Sequence, residues 1–388
     1  MYKFRLHGLL VVGELALALV LACGAGLMLK SLWVIRSQTA AFAPERVLTT
    51  SINHRQMPEA SDHASYFDDL ISKIEVLPNV ATAAAAGCGS VPFRIAGLPE
   101  PSSDPGVNLH LPCVSLHYAQ ALGLRLVSGR WLADGDGQGS LPVAVVNEAT
   151  ARIYSRLYPD SGPLIGKKIW TDATPSEFPT VVGVVSDFRW RPDTDPEPAA
   201  FVPAAQSPFR GLATLFVRTS SDPTDLADPI RKIVGRTPGV SMLRPQTLED
   251  QLSGAIAPRR FQAALFVAFA ALGLVLAVVG TYGVLSYSVT QRTREIGLRM
   301  ALGAMESNVL REVLNRGMKL ALAGVASGII GSAALAHLMR SLLYGVEPTD
   351  LWTYCIVALL LISVAMSAAY VPARRATRID PMRALRYE

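Results

Sequence analysis

Apolar residues along this chain fall in one long run, then a wide polar stretch, then three more runs set close together. The runs cover residues 8–29, 262–287, 318–338 and 351–370. Each is close to the ~20 residues that a helix needs to cross a ~30 Å hydrocarbon core. The pattern therefore predicts four transmembrane helices, one plus three. Residues 30–260 between the first two runs have a different rhythm. Residues 47–52 alternate and are β-branched, 62–77 place Tyr66, Leu70, Ile74 and Leu77 at helical spacing, and 80–86 return to strand character. Segments 215–218, 226–234 and 240–243 repeat the strand, helix, strand order. Two β-α-β units split by an insertion are the order of a ferredoxin-like layer. The insertion, residues 115–205, predicts strands at 141–146 and 180–185 and a helix at 148–154, with Gly and Pro punctuating the rest. The expected fold class is thus a membrane α-helical protein with a large extracytoplasmic α+β domain of two subdomains, the first ferredoxin-like.

Charge orients this layout. Only 17% of residues are charged, against about 25% in soluble domains, and the shortfall lies in the four runs. Residues 288–317 hold Arg292, Arg294, Arg299, Arg311 and Arg316 against three glutamates. The tail, residues 371–388, holds Arg374, Arg375, Arg378, Arg383 and Arg386 against Asp380 and Glu388. The connection 341–350 has no Lys or Arg. Basic short loops stay in the cytoplasm, so the loop 288–317, the tail and the N-terminal residues 1–7 are expected inside, and 30–260 outside, the inner membrane. Lys30 and Arg36 run against this rule locally. The net charge of +5 is accounted for by these loops, and no nucleic-acid partner is expected. A cleaved signal peptide would end its apolar region after ~7–15 residues. Here the run continues past Cys23 to Leu29, and Leu21 sits where a lipoprotein signal would place a small residue. A retained helix is the better reading.

Catalytic and metal motifs are scarce. Asp134-Gly135-Asp136-Gly137 resembles the start of a calcium loop but lacks its glutamate and spacing, and reads as a solvated turn. Residues 162–168, Gly-Pro-Leu-Ile-Gly-Lys-Lys, have the wrong spacing for a phosphate loop and no Ser or Thr after the lysine. His54, His63, His110 and His117 show no metal-ligand spacing, and no Gly-x-Ser-x-Gly elbow occurs. Neither a metal site nor a catalytic residue is predicted. Cys88 and Cys113 both fall in the exported region, where oxidising conditions permit a disulfide; spacing alone does not say whether they meet.

Within the spans, Glu14 is the one acidic residue well inside a run. Such a group faces a water cavity or other helices, as a relay or as a packing contact, and the packing contact is the simpler reading. Gly324 and Gly328 form a GxxxG pattern that lets helices approach closely, within one chain or between two. The inner loop reads Thr-Arg-Glu-Ile-Gly-Leu-Arg-Met-Ala-Leu-Gly-Ala over 293–304. A short helix there sets Ile296, Met300 and Gly303 on one face and Arg292, Glu295 and Arg299 on a flank. That segment suits either the membrane surface or a groove on a cytoplasmic partner.

The run from Arg294 through Gly303, Leu-Leu-Tyr-Gly-Val-Glu-Pro over 342–348, and the tail from Pro372 to Arg386 together resemble the FtsX-type permease domain of MacB-like ABC transporters. Upstream, residues 143–151, 165–169 and 181–188 resemble its periplasmic core domain. The flavour is that of the acidobacterial-type permeases, with a single unit. The resemblance implies a periplasmic core domain over 30–260 and a permease domain over 261–388. It implies a coupling segment at Arg294, Glu295, Ile296, Gly297, Arg299, Met300, Ala301, Leu302 and Gly303. Members of this class work mostly as dimers with an ATPase, so a homodimer or a heterodimer with a related permease is expected, with membrane lipid and a periplasmic adaptor as further partners. Only seven residues precede the first run, so the ATPase, with its ATP and Mg, is expected on a separate chain, and this chain is expected to be no enzyme and to bind no cofactor. Export is the expected function; the alternatives are a non-transporting regulator of a cell-wall hydrolase and a membrane-anchored sensor.

Overall fold

The computed structural model describes residues 2–39, 43–54, 60–87, 89–96, 98, 108–169, 178–207, 212–301, 305–339 and 344–377. In chain order the elements begin with helix α1 (Tyr2–Thr39), strand β1 (Val47–Asn53), helix α2 (Ala60–Glu75) and strand β2 (Val80–Gly87). Strands β3 (Ser90–Pro92), β4 (Asn108–His110) and β5 (Cys113–Val114) follow, then helix α3 (Tyr118–Leu122) and strands β6 (Leu126–Gly129) and β7 (Val143–Asn147). Next come helix α4 (Glu148–Leu157), strands β8 (Thr180–Val185), β9 (Ala200–Pro203) and β10 (Leu212–Thr219), helix α5 (Ala227–Val234), strand β11 (Ser241–Thr247) and helix α6 (Leu248–Ala255). Helices α7 (Ala257–Gln291), α8 (Thr293–Ala301), α9 (Glu306–Leu338) and α10 (Leu351–Thr377) complete the chain. They form two compact units, one of Met1–Ile35 with Ala257–Glu388 and one of Arg36–Ile256.

The polar unit is built on a nine-stranded sheet in the order β11-β1-β10-β2-β5-β9-β7-β8-β6, with β3 and β4 as a separate ladder. Its first four strands interleave two β-α-β units: β10 lies between β1 and β2, antiparallel to both, and β11 flanks β1. The segment 115–205 contributes β6, β7, β8 and β9, which pair with one another and reach the first set where β9 runs parallel to β5. Unbroken apolar runs such as Val143 to Val146 in β7 make strands buried on both faces. Alternate residues then serve opposite cores. Ala83 and Ala85 of β2 with Leu215 and Val217 of β10 meet Phe67, Leu70 and Ile74 of α2 and Ile230 of α5. Ala84, Ala86 and Phe216 face the other way, toward Tyr118 and Leu122 of α3 and Leu248 and Leu252 of α6. Each fully buried large apolar side chain contributes about 1.5–3 kcal/mol relative to exposure. A one-residue slip in any strand would swap the two cores.

Helix ends are set by local side chains. Asn147 accepts from Thr150 N at 3.1 Å to start α4, and Thr247 accepts from Asp250 N at 3.0 Å to start α6. The Asp134–Gly137 stretch is not a freely solvated turn. Asp136 is buried and takes both guanidinium nitrogens of Arg130, at 2.6 and 2.8 Å, and the Ala133 amide at 2.9 Å. The Arg130 guanidinium holds its carboxyl below the usual range, and its oxygens are spent on these donors. Among the described residues no group of three or more His, Cys, Asp or Glu is arranged to hold a metal. Cys113 sits in β5 opposite Gly87; Cys88, with which a disulfide is permitted, lies outside the described residues.

In the apolar unit all four expected spans are helices long and apolar enough to cross a membrane. They run well past the apolar stretches: 38 residues of α1 at ~1.5 Å each exceed a ~30 Å core by nearly a factor of two, because helical hydrogen bonding continues where the sequence turns polar. A shared core of Leu15, Leu19, Ala277, Ala321 and Leu361 joins α1 to α7, α9 and α10. The outer end of α1 is pinned to the stretch before α10. Lys30 Nζ lies 2.7 Å from Asp350 Oδ1, and Ser31 Oγ donates to Tyr344 O at 3.0 Å. Asp350 also accepts from Thr353 N at 3.1 Å, capping α10. That pairing accounts for the lysine that ran against the charge rule.

Candidate functional site

The inner connection is where the sequence concentrates its signal, and its geometry follows from a break at Arg292. Helix α7 ends at Gln291 and α8 restarts at Thr293. Thr293 Oγ1 turns back to Val289 O and Thr290 O at 3.2 and 2.9 Å, a local bond that competes with straight continuation. Helix α9 then begins after Met305, whose extended backbone gives α9 a clean start. Below, Leu285, Val313, Ala369 and Ala373 pack α7, α9 and α10 together, with Val289, Leu310 and Leu314 against them.

Helix α8 lies over a crevice between α7 and α9. Ile296 lines it with Leu285, Val289, Val309 and Val313, whereas Leu298 is 50% exposed. Of the apolar face expected of α8, Ile296 is spent on the chain's own helices, and Leu298, outside that face, is offered outward. Charges close the crevice. Glu312 of α9 takes Arg316 Nη2 at 2.9 Å and Arg299 Nη1 at 3.2 Å, with Arg292 Nη1 at 3.7 Å. Arg299 also pairs with Glu295 at 2.5 Å within α8, and Arg316 Nη1 reaches Ser288 Oγ at 3.4 Å. One carboxylate therefore joins the end of α7, the middle of α8 and the next turn of α9.

Of the expected coupling residues, Glu295, Ile296 and Arg299 meet in this cluster. Arg294, Gly297, Met300 and Ala301 belong to the α8 backbone, and Leu302 and Gly303 lie outside the described residues. Sequence reasoning passed over Glu312. Its i,i+4 spacing to Arg316 was a legible sign, but Arg299 lies 13 positions away and only the turn between the two helices brings it close.

The expected packing residues also find places. A Cβ on Gly324 would meet Leu15 Cβ at 2.6 Å, and one on Gly328 would meet Leu19 Cβ at 2.9 Å and Ala16 O at 3.0 Å. The GxxxG face of α9 is thus occupied by α1 of the same chain. Glu14 faces α7, where a Cβ on Gly280 would collide with its carboxylate; its Oε2 has no hydrogen-bond partner among the described residues. The glycine at 280 leaves room for the Glu14 carboxylate against α7.

Residues 10–233 match the MacB-like periplasmic core domain and residues 267–381 the FtsX-like permease C-terminal region. The macrolide export ATP-binding/permease protein MacB of Azoarcus sp. (strain BH72) is 26% identical over 330 residues, 82% of this chain and 47% of that protein. MacB of Syntrophobacter fumaroxidans is 41% identical over 126 residues, 32% of this chain and 17% of that protein. This chain spans less than half the length of either. The periplasmic region of MacB from Actinobacillus actinomycetemcomitans superposes with a TM-score of 0.38 at 13% identity, covering 56% of this chain and 94% of that one. With more than half of its residues matched to one family domain and its C-terminal helices to the other, the chain belongs to the MacB-like permeases of ABC transporters.

Proposed function

We propose that this chain is the permease subunit of an export-type ABC transporter, and that α8 is the surface on which a separate cytoplasmic ATPase acts. The observation that carries the reading is the Glu312 cluster. A push on α8 through Leu298 and Glu295 cannot be absorbed by α8 alone, because Arg299 ties it to α9 and Arg292 ties the end of α7 to the same carboxylate. Helix α9 in turn grips α1 through Gly324 and Gly328. Helices α1 and α7 are the two ends at which the chain enters and leaves the core domain, so their motion is delivered to that domain as mechanical work. No passage of cargo through the bilayer is needed.

ATP and Mg belong to the ATPase in this reading, and this chain binds neither. Both termini and α8 face the cytoplasm and the core domain faces the periplasm, with two copies or two related permeases flanking the membrane assembly and a periplasmic adaptor outside. Export is favoured over regulation of a cell-wall hydrolase because the named relatives are export proteins.

The test is affinity purification of the full tagged chain from its host membranes, with Walker-motif ATPases identified by mass spectrometry. An ATPase is expected with the wild type and is lost with Leu298→Asp, which places a charge on an exposed position and leaves insertion intact. No ATPase with the wild type, or undiminished recovery with the variant, overturns the assignment.

A further inference from the structure

Within the core domain, a cavity of about 320 Å³ opens on the α3 and α6 face of the sheet. Its origin is the alanine run of β2. Ala86 and its cross-strand partner Thr214 carry side chains too small to fill the layer, and both line the cavity. The walls are aromatic. Phe201 stands 5.7 Å from Tyr118, Tyr118 5.7 Å from Phe216, Phe216 5.6 Å from Trp190, and Trp190 4.9 Å from Phe188. Five rings thus form a continuous row. Four of them are buried, and Trp190, 39% exposed, stands at the mouth. A volume at the lower end of ~300–1,000 Å³ with apolar walls and few polar groups is the form of a small-molecule site.

The polar groups choose the ligand. Asn147 is used up: its Oδ1 accepts from Thr150 N, Thr150 Oγ1 and Ala199 N, and its Nδ2 donates to Glu197 O. Glu197 is paired with His110 Nε2 at 2.9 Å, and Arg189 and Asp195 are engaged within the chain. Gln251 and Arg191 are among the donors that remain. Gln251 uses its Oε1 on Thr49 Oγ1, which leaves its amide N–H groups. Among the described residues Arg191 approaches Asp193, through Nε at 3.7 Å, which leaves its two Nη groups. A fork of that kind pairs best with an anion.

We propose that this cavity binds a small amphiphile with a flat aromatic or alicyclic body and one anionic group. The body lies against Trp190, the ring exposed at the mouth, where stacking adds to burial, and the anion sits on Arg191.

The experiment titrates the full chain in nanodiscs with 1-anilinonaphthalene-8-sulfonate and, separately, with its uncharged relative N-phenyl-1-naphthylamine, against empty nanodiscs. Saturable binding of the sulfonate at one site per chain is expected. Trp190→Ala weakens both probes about tenfold. Arg191→Gln weakens the sulfonate about tenfold and leaves the neutral probe within about twofold. Arg191 is solvent-exposed, so Arg191→Gln leaves the melting temperature unchanged, whereas Trp190→Ala, which removes a ring packed on Phe188 and Phe216, lowers it. Binding no greater than to empty nanodiscs, or binding indifferent to Trp190→Ala, overturns the site. Equal loss of both probes in Arg191→Gln overturns the anionic assignment. The titration uses no nucleotide, so its outcome is independent of the role given to α8.

Discussion

Arg299 of α8 donates through Nη1 to Glu312 of α9 at 3.2 Å, and this bond makes α8 part of the helical bundle. Without it Ile296 would still seat the segment in the crevice between α7 and α9. With it, Glu312 collects arginines from three elements, and the charge excess of the inner loop becomes a fastening as well as an orientation signal.

Replacing that carboxylate separates fastening from stability. The pairs are half exposed, and such pairs contribute about 0–1 kcal/mol each, so Glu312→Gln is expected to leave the unfolding midpoint nearly unchanged. Amide exchange over Thr293–Ala301 should accelerate roughly two- to fivefold, because local opening of α8 loses its tie. Hydrogen exchange by mass spectrometry checks this, and exchange equal to wild type would show that Ile296 suffices.

The α1–α9 contact predicts a cost that depends on position. Gly328→Leu drives a side chain into Leu19 and the Ala16 carbonyl and should destabilise the apolar unit by about 1–3 kcal/mol. Gly283→Leu is the control, since nothing lies within 4 Å of its added Cβ. Unfolding midpoints in mixed micelles should fall for the first substitution and hold for the second.

The pair of half-exposed Arg130 and buried Asp136 predicts an acid limb for the core domain. Arg130 depresses the Asp136 pKa, so the pair's stability is present above the unfolded value of about 3.9 and is lost as pH falls below it through the folded pKa. Arg130→Gln should cost about 1–2 kcal/mol near neutrality, a modest figure because Arg130 is half exposed. The gap in melting temperature between wild type and variant should close between pH 5 and pH 2.5. A gap that stays constant with pH would mean that the ion pair is not its source.

Much of this was legible in the chain because the signals are local. Four apolar runs of membrane length, strands such as Thr180–Val185 and the helix starting at Glu148 all follow from periodicity and capping. The strands β5 and β9, two and four residues long, are too short to carry a period, and they are the pair that joins the insertion to the main sheet. The aromatic row escaped for a similar reason: Tyr118, Phe201 and Phe216 come from separate elements and Phe188 and Trp190 from the loop between β8 and β9, so no one period links all five.

By itself the sequence determined which segments enter a membrane, which segments alternate as strands, and where basic residues gather, because hydrophobic burial and backbone propensity act over a few turns of chain. Tertiary structure alone decided that Gly324 and Gly328 are filled by Leu15 and Leu19 and that Glu14 rests on Gly280. It also decided that Glu312 gathers three arginines and that an alanine-floored cavity opens among five rings. Each of these depends on which surfaces meet after the chain has crossed itself, and close packing settles that one contact at a time.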